Sequence, residues 1–306
     1  MSAKLRSEIV LGIINLYKPA GKTSHDMVSF VRKTLGIKKV GHTGTLDPCA
    51  EGVLPILVGR ATALSDYLMA GDKIYTATVK LGIITDTYDT TGTILKENTP
   101  CVSLSDIKKA AAKFIGEIQQ EPPMYSAIKI GGRKLYQLAR EGKEIERPKR
   151  NITIFDISVL NFDEEKNEFK MRVHCSKGTY IRSLCHDLGL ALGCGAAMDA
   201  LVRNKTGIFD DSTSKTCEMI NQSVNSGDFS FIIAPDKVLC EFPSVTVDDE
   251  TSKKVQNGLM LRINQLGINL KLGEKIRIYD KERFLCLAKI VESEGALCIK
   301  IDMGFY

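Results

Sequence analysis

The segment from Gly41 to Leu54, Gly-His-Thr-Gly-Thr-Leu-Asp-Pro-Cys-Ala-Glu-Gly-Val-Leu, constrains this chain more than any other. It sets three glycines, one histidine and two carboxylates between apolar runs. Glycine reaches positive φ and tolerates close approach, so Gly41, Gly44 and Gly52 predict sharp turns where a ligand or another backbone comes near. Pro48 restricts Asp47 to extended backbone, which aims its carboxylate instead of leaving it on a helix. Plain turn chemistry is a second reading, because an aspartate before proline readily bonds its own backbone. The segment lacks the Gly-Lys-Ser/Thr ending of a phosphate-binding loop and the spacing of a dinucleotide fingerprint.

The stretches around it predict a mixed α and β chain. The apolar run Ile9–Leu16 reads as a buried first strand ending at the turn Lys18-Pro19-Ala20-Gly21. Thr23 and Asp26 have capping-box spacing, and Met27, Val28, Val31 and Leu35 follow at helical intervals. After the central segment, Ala63, Leu64, Tyr67 and Leu68 predict a short helix. Lys73–Thr85 then alternates as a strand with Tyr75, Ala77, Val79 and Leu81 on one face. The Thr- and Asp-rich turn Thr85–Gly92 does not have calcium-loop spacing, and no chemistry is expected of it.

Ser105–Gly116 predicts a capped helix, Met124–Ile130 a strand reaching a Gly131-Gly132 turn, and Lys134–Arg140 a helix ended by Gly142. Asn151–Phe162 and Asn167–Cys175 predict a hairpin. Ile181, Leu184, Cys185 and Leu188 recur at helical spacing, with Arg182 in the first turn and off that stripe. An arginine there opposes the helix macrodipole, and either water or a buried carboxylate partner must answer it. Beyond Ala234-Pro235 the runs Ser244–Val247, Lys275–Tyr279, Phe284–Ile290 and Ala296–Met303, with a helix near Thr251–Asn257, predict a small β-rich module.

Composition narrows the function classes. With 306 residues, 43% of them hydrophobic, the chain can bury the core of one large domain and a small one. Its N-terminal apolar run is broken by Gly12 and too short to span a membrane, and no small-residue cleavage site follows; a cytoplasmic protein is expected. Nine cysteines, without a Cys-x-x-Cys pair, read as reduced small hydrophobes. His174-Cys175 and Cys185-His186 come nearest to a metal site, but neighbouring strand residues face opposite ways, so no metal is expected. The net charge of +5 is matched by residues 129–150 alone, where eight cations stand against three carboxylates. Such a strip suits a polyanion such as RNA, although a solvated helix face balanced by its own glutamates has the same composition.

Gly41-His42-Thr43-Gly44-Thr45-Leu46-Asp47-Pro48, with Gly52-Val53-Leu54-Pro55, resembles the catalytic motif of the TruB-type tRNA pseudouridine synthases, which isomerise uridine 55 in the T arm. Lys18-Pro19, Asp72-Lys73-Ile74-Tyr75, Met124-Tyr125-Ser126-Ala127 and Cys175-Ser176-Lys177-Gly178-Thr179-Tyr180-Ile181-Arg182 follow in the family's order, so the resemblance covers roughly residues 10–210. It implies an α+β fold: a pseudouridine-synthase-like catalytic domain, 1–235, with a mixed, largely antiparallel sheet flanked by helices. A small C-terminal β-rich, PUA-like RNA-binding domain, 241–306, would follow. It also implies that Asp47 is the essential carboxylate and that Arg182 keeps it ionised and oriented. Tyr75 would stack on the flipped base, Tyr180 and Leu201 line the pocket, His42 contact the rearranged RNA loop, and Lys18 support the site. The implied partner is the tRNA T-arm stem-loop, with no cofactor, metal, membrane, DNA or obligatory protein partner. Rival readings are a non-catalytic tRNA chaperone and a guide-RNA-dependent synthase. Two positions depart from the family: Tyr17, where an aspartate commonly stands, and Val202, where an arginine often precedes Arg203.

Overall fold

The structure, a computed structural model, describes residues 12–281 and 283–306, and of Gln265 the backbone alone. Its frame is a ten-stranded sheet. The path across it runs Ile232–Ile233, Gly12–Lys18, Glu51–Val58, Ala196–Thr206, Lys73–Leu81, Glu168–Cys175, Arg150–Asp163 and Gly116–Gln120. Along this path neighbours are antiparallel except Ala196–Thr206, which runs parallel to Glu51–Val58. The sheet is therefore mixed and largely antiparallel, as expected.

One face of the sheet is sealed by helices. The Lys73–Leu81 strand alternates buried and half-exposed residues, so Tyr75, Ala77, Val79 and Leu81 enter the main core. Helix Ser24–Leu35 starts at the Thr23/Asp26 capping box and adds Met27, Val28, Val31 and Leu35; helix Ile181–Ala191 adds Ile181, Leu184, Cys185 and Leu188. The expected first strand begins, among the described residues, at Gly12, while Ile9 to Leu11 lie outside them.

Several elements differ from expectation. Gly82, at φ +88°, ends the Lys73 strand early, because a Cβ there would lie 2.7 Å from the Asn98 carbonyl oxygen. The Ser105 helix runs Leu104–Ala112 from a Ser103 cap, and an unforeseen strand, Gly116–Gln120, follows. Met124–Ile130 is strand only at Lys129–Ile130, where it pairs with Arg133–Lys134. Residues 121–149 thus form an arm that leaves and rejoins the body beside the Gln120–Arg150 pair. Met124, Leu135 and Leu138 give that arm a small core of its own.

The C-terminal strands Ser244–Val247, Lys275–Asp280, Arg283–Ser293, Ala296–Gly304 and Leu261–Arg262 make a five-stranded sheet beside helix Asp249–Gln256. That sheet is joined to the larger one through a shared apolar cluster, in which Leu287 and Phe305 meet Ile13, Val53, Leu57, Leu64 and Phe209.

Candidate active site

Strands Val40–His42 and Glu51–Val58 pair antiparallel, so residues 43–50 form the loop between them at the edge of the core. The loop is held on both sides of Asp47. Ser24 Oγ donates to the Leu46 carbonyl (3.2 Å) and accepts from the Leu46 amide (2.9 Å). The fully buried Lys18 donates its ammonium to the carbonyls of Lys22 (2.5 Å), Pro19 (3.0 Å) and Pro48 (3.3 Å). Burial lowers the Lys18 pKa and the charge of Asp47 works against that fall. Lys18 thus supports the loop from below. Asp47 is gripped at the residues before and after it, and its carboxylate remains 38% exposed.

Gly52 sits at φ +109° in register with Arg203 of the parallel neighbour, and a Cβ there would lie 2.3 Å from the Arg203 carbonyl oxygen. Only glycine lets the two strands close. Arg203 is 1% exposed and turns its guanidinium into the loop, Nε donating to the Val53 carbonyl (2.7 Å) and Nη2 to that of Gly44 (3.2 Å). It also lies against the Tyr75 hydroxyl, where burial raises the phenol's pKa and the guanidinium opposes the rise. Lys73, two residues earlier, bonds the carbonyls of Met69 (2.7 Å) and Gly71, and burial beside Arg203 brings its pKa down to about 8.

Arg182 is the hub. Its side chain is 6% exposed, and Nε meets Asp47 Oδ2 at 2.9 Å. Nη1 donates to the Thr87 carbonyl (3.0 Å) and faces Asp89 Oδ2 at 3.6 Å, while Nη2 donates to the Tyr125 carbonyl (2.8 Å). Two carboxylates and two carbonyls therefore answer the charge that the helix dipole leaves unfavourable. The turn Thr85–Gly92, of which no chemistry was expected, supplies two of these partners. Buried Asp89 is itself fixed by hydroxyls of Thr87 (2.8 Å) and Thr91 (2.6 Å) and by the Thr91 amide (3.1 Å).

The remaining expected residues gather around this pair. Tyr75 and Leu201 are 9% and 7% exposed on the same sheet face, since Leu201 lies opposite Ala77. Tyr180 caps the Arg182 helix, its amide and carbonyl both bonded to the Gln120 side-chain amide at 2.8 and 3.0 Å. Burial raises its phenol pKa, and Ser126, Arg150 and Arg182 hold it down. Burial, Arg203 and His25 lower the pKa of His42, and its buried Nδ1 has no partner among the described residues. Sequence reasoning missed Asp89 and Arg203 as site residues. The Asp-Thr-Tyr-Asp-Thr-Thr run held one clue, a clustering of turn-bonding side chains.

The basic strip lies on the arm, and part of its charge is spent there. Arg133 and Lys143 both pair with Glu141, and Arg147 pairs with Glu121. Lys134 and Arg140 flank the Tyr136 ring, each 5.5 Å from its centroid. Among the described residues no group of three or more His, Cys, Asp or Glu side chains is placed to hold a metal ion, and no helix is long and apolar enough to cross a membrane.

Comparison with known proteins adds independent findings. Residues 32–181 match the TruB family pseudouridylate synthase N-terminal domain, and residues 182–231 the tRNA pseudouridylate synthase B C-terminal domain. tRNA pseudouridine synthase B of Clostridium acetobutylicum is 48% identical over 95% of this chain and 99% of its own, and that of Clostridium novyi 47% over 90% and 94%. A solved H/ACA RNP bound to a substrate RNA containing 2′-deoxyuridine is 26% identical, with a TM-score of 0.71, over 100% of this chain and 88% of that one. A Cbf5-Nop10-Gar1 complex gives 28% and 0.71 over 100% and 87%. With its sheet, its loop and these relatives, the chain belongs to the TruB family of tRNA pseudouridine synthases, which isomerise uridine to pseudouridine in tRNA.

Proposed function

We propose that the chain acts unaided on uridine 55 in the T arm of tRNA, with Asp47 as the essential carboxylate. The observation that carries this reading is the Asp47–Arg182 pair: a carboxylate clamped at both neighbouring residues, bonded to a buried guanidinium and still open to solvent.

Isomerisation breaks C1′–N1, turns the uracil within the site and joins C1′ to C5, and the C5 proton then leaves while N1 takes one up. Nothing is oxidised or lost, so the residues must supply a charge, a closed pocket and access to a stacked base. Asp47 is suited to attack at C1′ or C6, or to remove the C2′ proton; all three require an anionic, fixed carboxylate. Arg182 holds that anion through a charge-assisted bond. Extruding the uridine costs a few kcal/mol, and stacking on Tyr75, with Tyr180 and Leu201 as walls, offsets it. His42 contacts the RNA loop that the flip rearranges. The chain divides into a catalytic domain, 1–235, and a PUA-like RNA-binding domain, 241–306, and it works in the cytoplasm without a protein partner.

Likeness to H/ACA assemblies leaves a guide-dependent reading, but identity of 47–48% to chains named tRNA pseudouridine synthase B, against 26–28%, favours the stand-alone one. Tritium release from C5-labelled uridine in a T-arm stem-loop decides between them, using purified protein without guide RNA or added metal. Wild type is expected to release tritium, and Asp47→Asn to bind the RNA without release. Activity in Asp47→Asn would overturn the role of Asp47, and binding without release by wild type would favour the chaperone or guide-dependent readings.

A further inference from the structure

The arm 121–149 carries the basic strip, and its two legs are not held alike. On the entering leg, Gln120 bonds both backbone groups of Tyr180, and Ser183 Oγ donates to the Glu121 carbonyl at 2.8 Å. The arm is also hooked at Tyr125 by Arg182. The returning leg, 143–149, has neither helix nor strand until Arg150 pairs with Gln120. Within it Arg147 does something its neighbours do not. Its side chain is 9% exposed, Nη2 meets Glu121 Oε1 at 2.5 Å and Glu144 Oε1 at 3.8 Å, and Nη1 donates to the Pro122 carbonyl at 3.2 Å. It is a member of the basic strip that points into the protein and joins the leg that returns to the leg that leaves.

We propose that Arg147 is the clasp of the arm's neck, a positioning residue that holds the RNA-facing arm in place over the Asp47 site and does not itself touch phosphate. The proposal rests on the reading of the arm as an RNA-binding surface. A nearly buried guanidinium that bonds a carboxylate and a carbonyl of the facing segment orders both segments, whereas an exposed lysine pair contributes little. With the clasp opened, the returning leg loses its polar tie to the entering leg, and the arm samples open states.

Two variants of the full-length protein test this, Arg147→Ala and Glu121→Gln. The second separates positioning from charge. It removes a negative charge, so a purely electrostatic role predicts tighter RNA binding, while a clasp predicts weaker binding. Because Pro148 follows Arg147, trypsin does not cut there in either form, and cleavage at Lys129 to Lys143 reports arm opening without RNA.

For both variants, cleavage in the arm is expected to accelerate, and the Kd for a labelled T-arm stem-loop to rise, each by about tenfold, with the melting temperature near that of wild type. The slope of log Kd against log salt is expected to stay constant, and the single-turnover rate at saturating enzyme to change less than Kd. Unchanged proteolysis overturns the clasp, as does a salt slope reduced by about one in Arg147→Ala, the mark of a direct phosphate contact. Faster cleavage with unaltered RNA binding would keep the clasp and remove the arm from RNA recognition.

Discussion

At the scale of single residues the site depends on what fits between two strands. Gly52→Ala would set a methyl group 2.3 Å from the Arg203 carbonyl oxygen and hold alanine at φ +109°. The neighbour does not yield cheaply, because the three nearest atoms the methyl would meet are all Arg203 backbone. The expected loss is about 3 kcal/mol or more, from left-handed strain together with the clash, read as a lower melting temperature. Turnover should fall as well, since the displaced Arg203 would release the Gly44 carbonyl. A melting temperature within a degree or two of wild type would refute this packing. Local chemistry singled out Asp47 and Arg182, by a proline after the aspartate and a charge set against a helix dipole, but it was the resemblance of the surrounding motifs that put both in one site. Arg203 and Asp89 were not singled out, because their roles come from strand register and from a turn folding back on a distant helix.

The Ile181–Ala191 helix carries Arg182 on one side and the neck of the arm on another, where Asp187 shares its surroundings with Glu121 and Lys149. Burial, then Glu121, pushes the Asp187 carboxyl up from 3.8 to about 6. A raised carboxylate favours the fold in its protonated form: that contribution is fully present below about 3.8 and is lost as the pH rises through about 6. Asp187→Asn keeps the neutral shape at every pH. Its melting temperature should therefore exceed that of wild type at pH 8, and the difference should shrink toward pH 5. A difference independent of pH would place the origin elsewhere. Elements with a single unbroken period, such as this helix and the Lys73 strand, were readable from spacing alone. The Ala196–Thr206 strand escaped notice because register shifts at Met198/Ala200 and Arg203/Lys205 break its alternation twice.

Across the whole molecule, the two sheets meet in one apolar cluster, so the C-terminal strands help to bury the first strand of the larger sheet. Leu287 is fully buried there with Ile13, Val53 and Leu57. Leu287→Ala should cost about 2–5 kcal/mol. Because the cluster spans both sheets, tertiary and secondary probes should still report one coincident unfolding transition. Separate transitions in wild type would show that the two sheets are energetically independent. The two-sheet layout was legible from the change in character near Ala234, but the shared cluster was not, since contacts so distant in sequence leave no local periodicity. Arg182 joins parts of the molecule in another way, because two of its acceptors are the carbonyls of Thr87 and Tyr125. Every residue offers a carbonyl, whatever its side chain. The Tyr125 tie is therefore invisible to an alanine scan, and substitutions there could accumulate over evolutionary time without loosening the arginine that holds Asp47, whereas at Thr87 a scan also removes the hydroxyl that fixes Asp89.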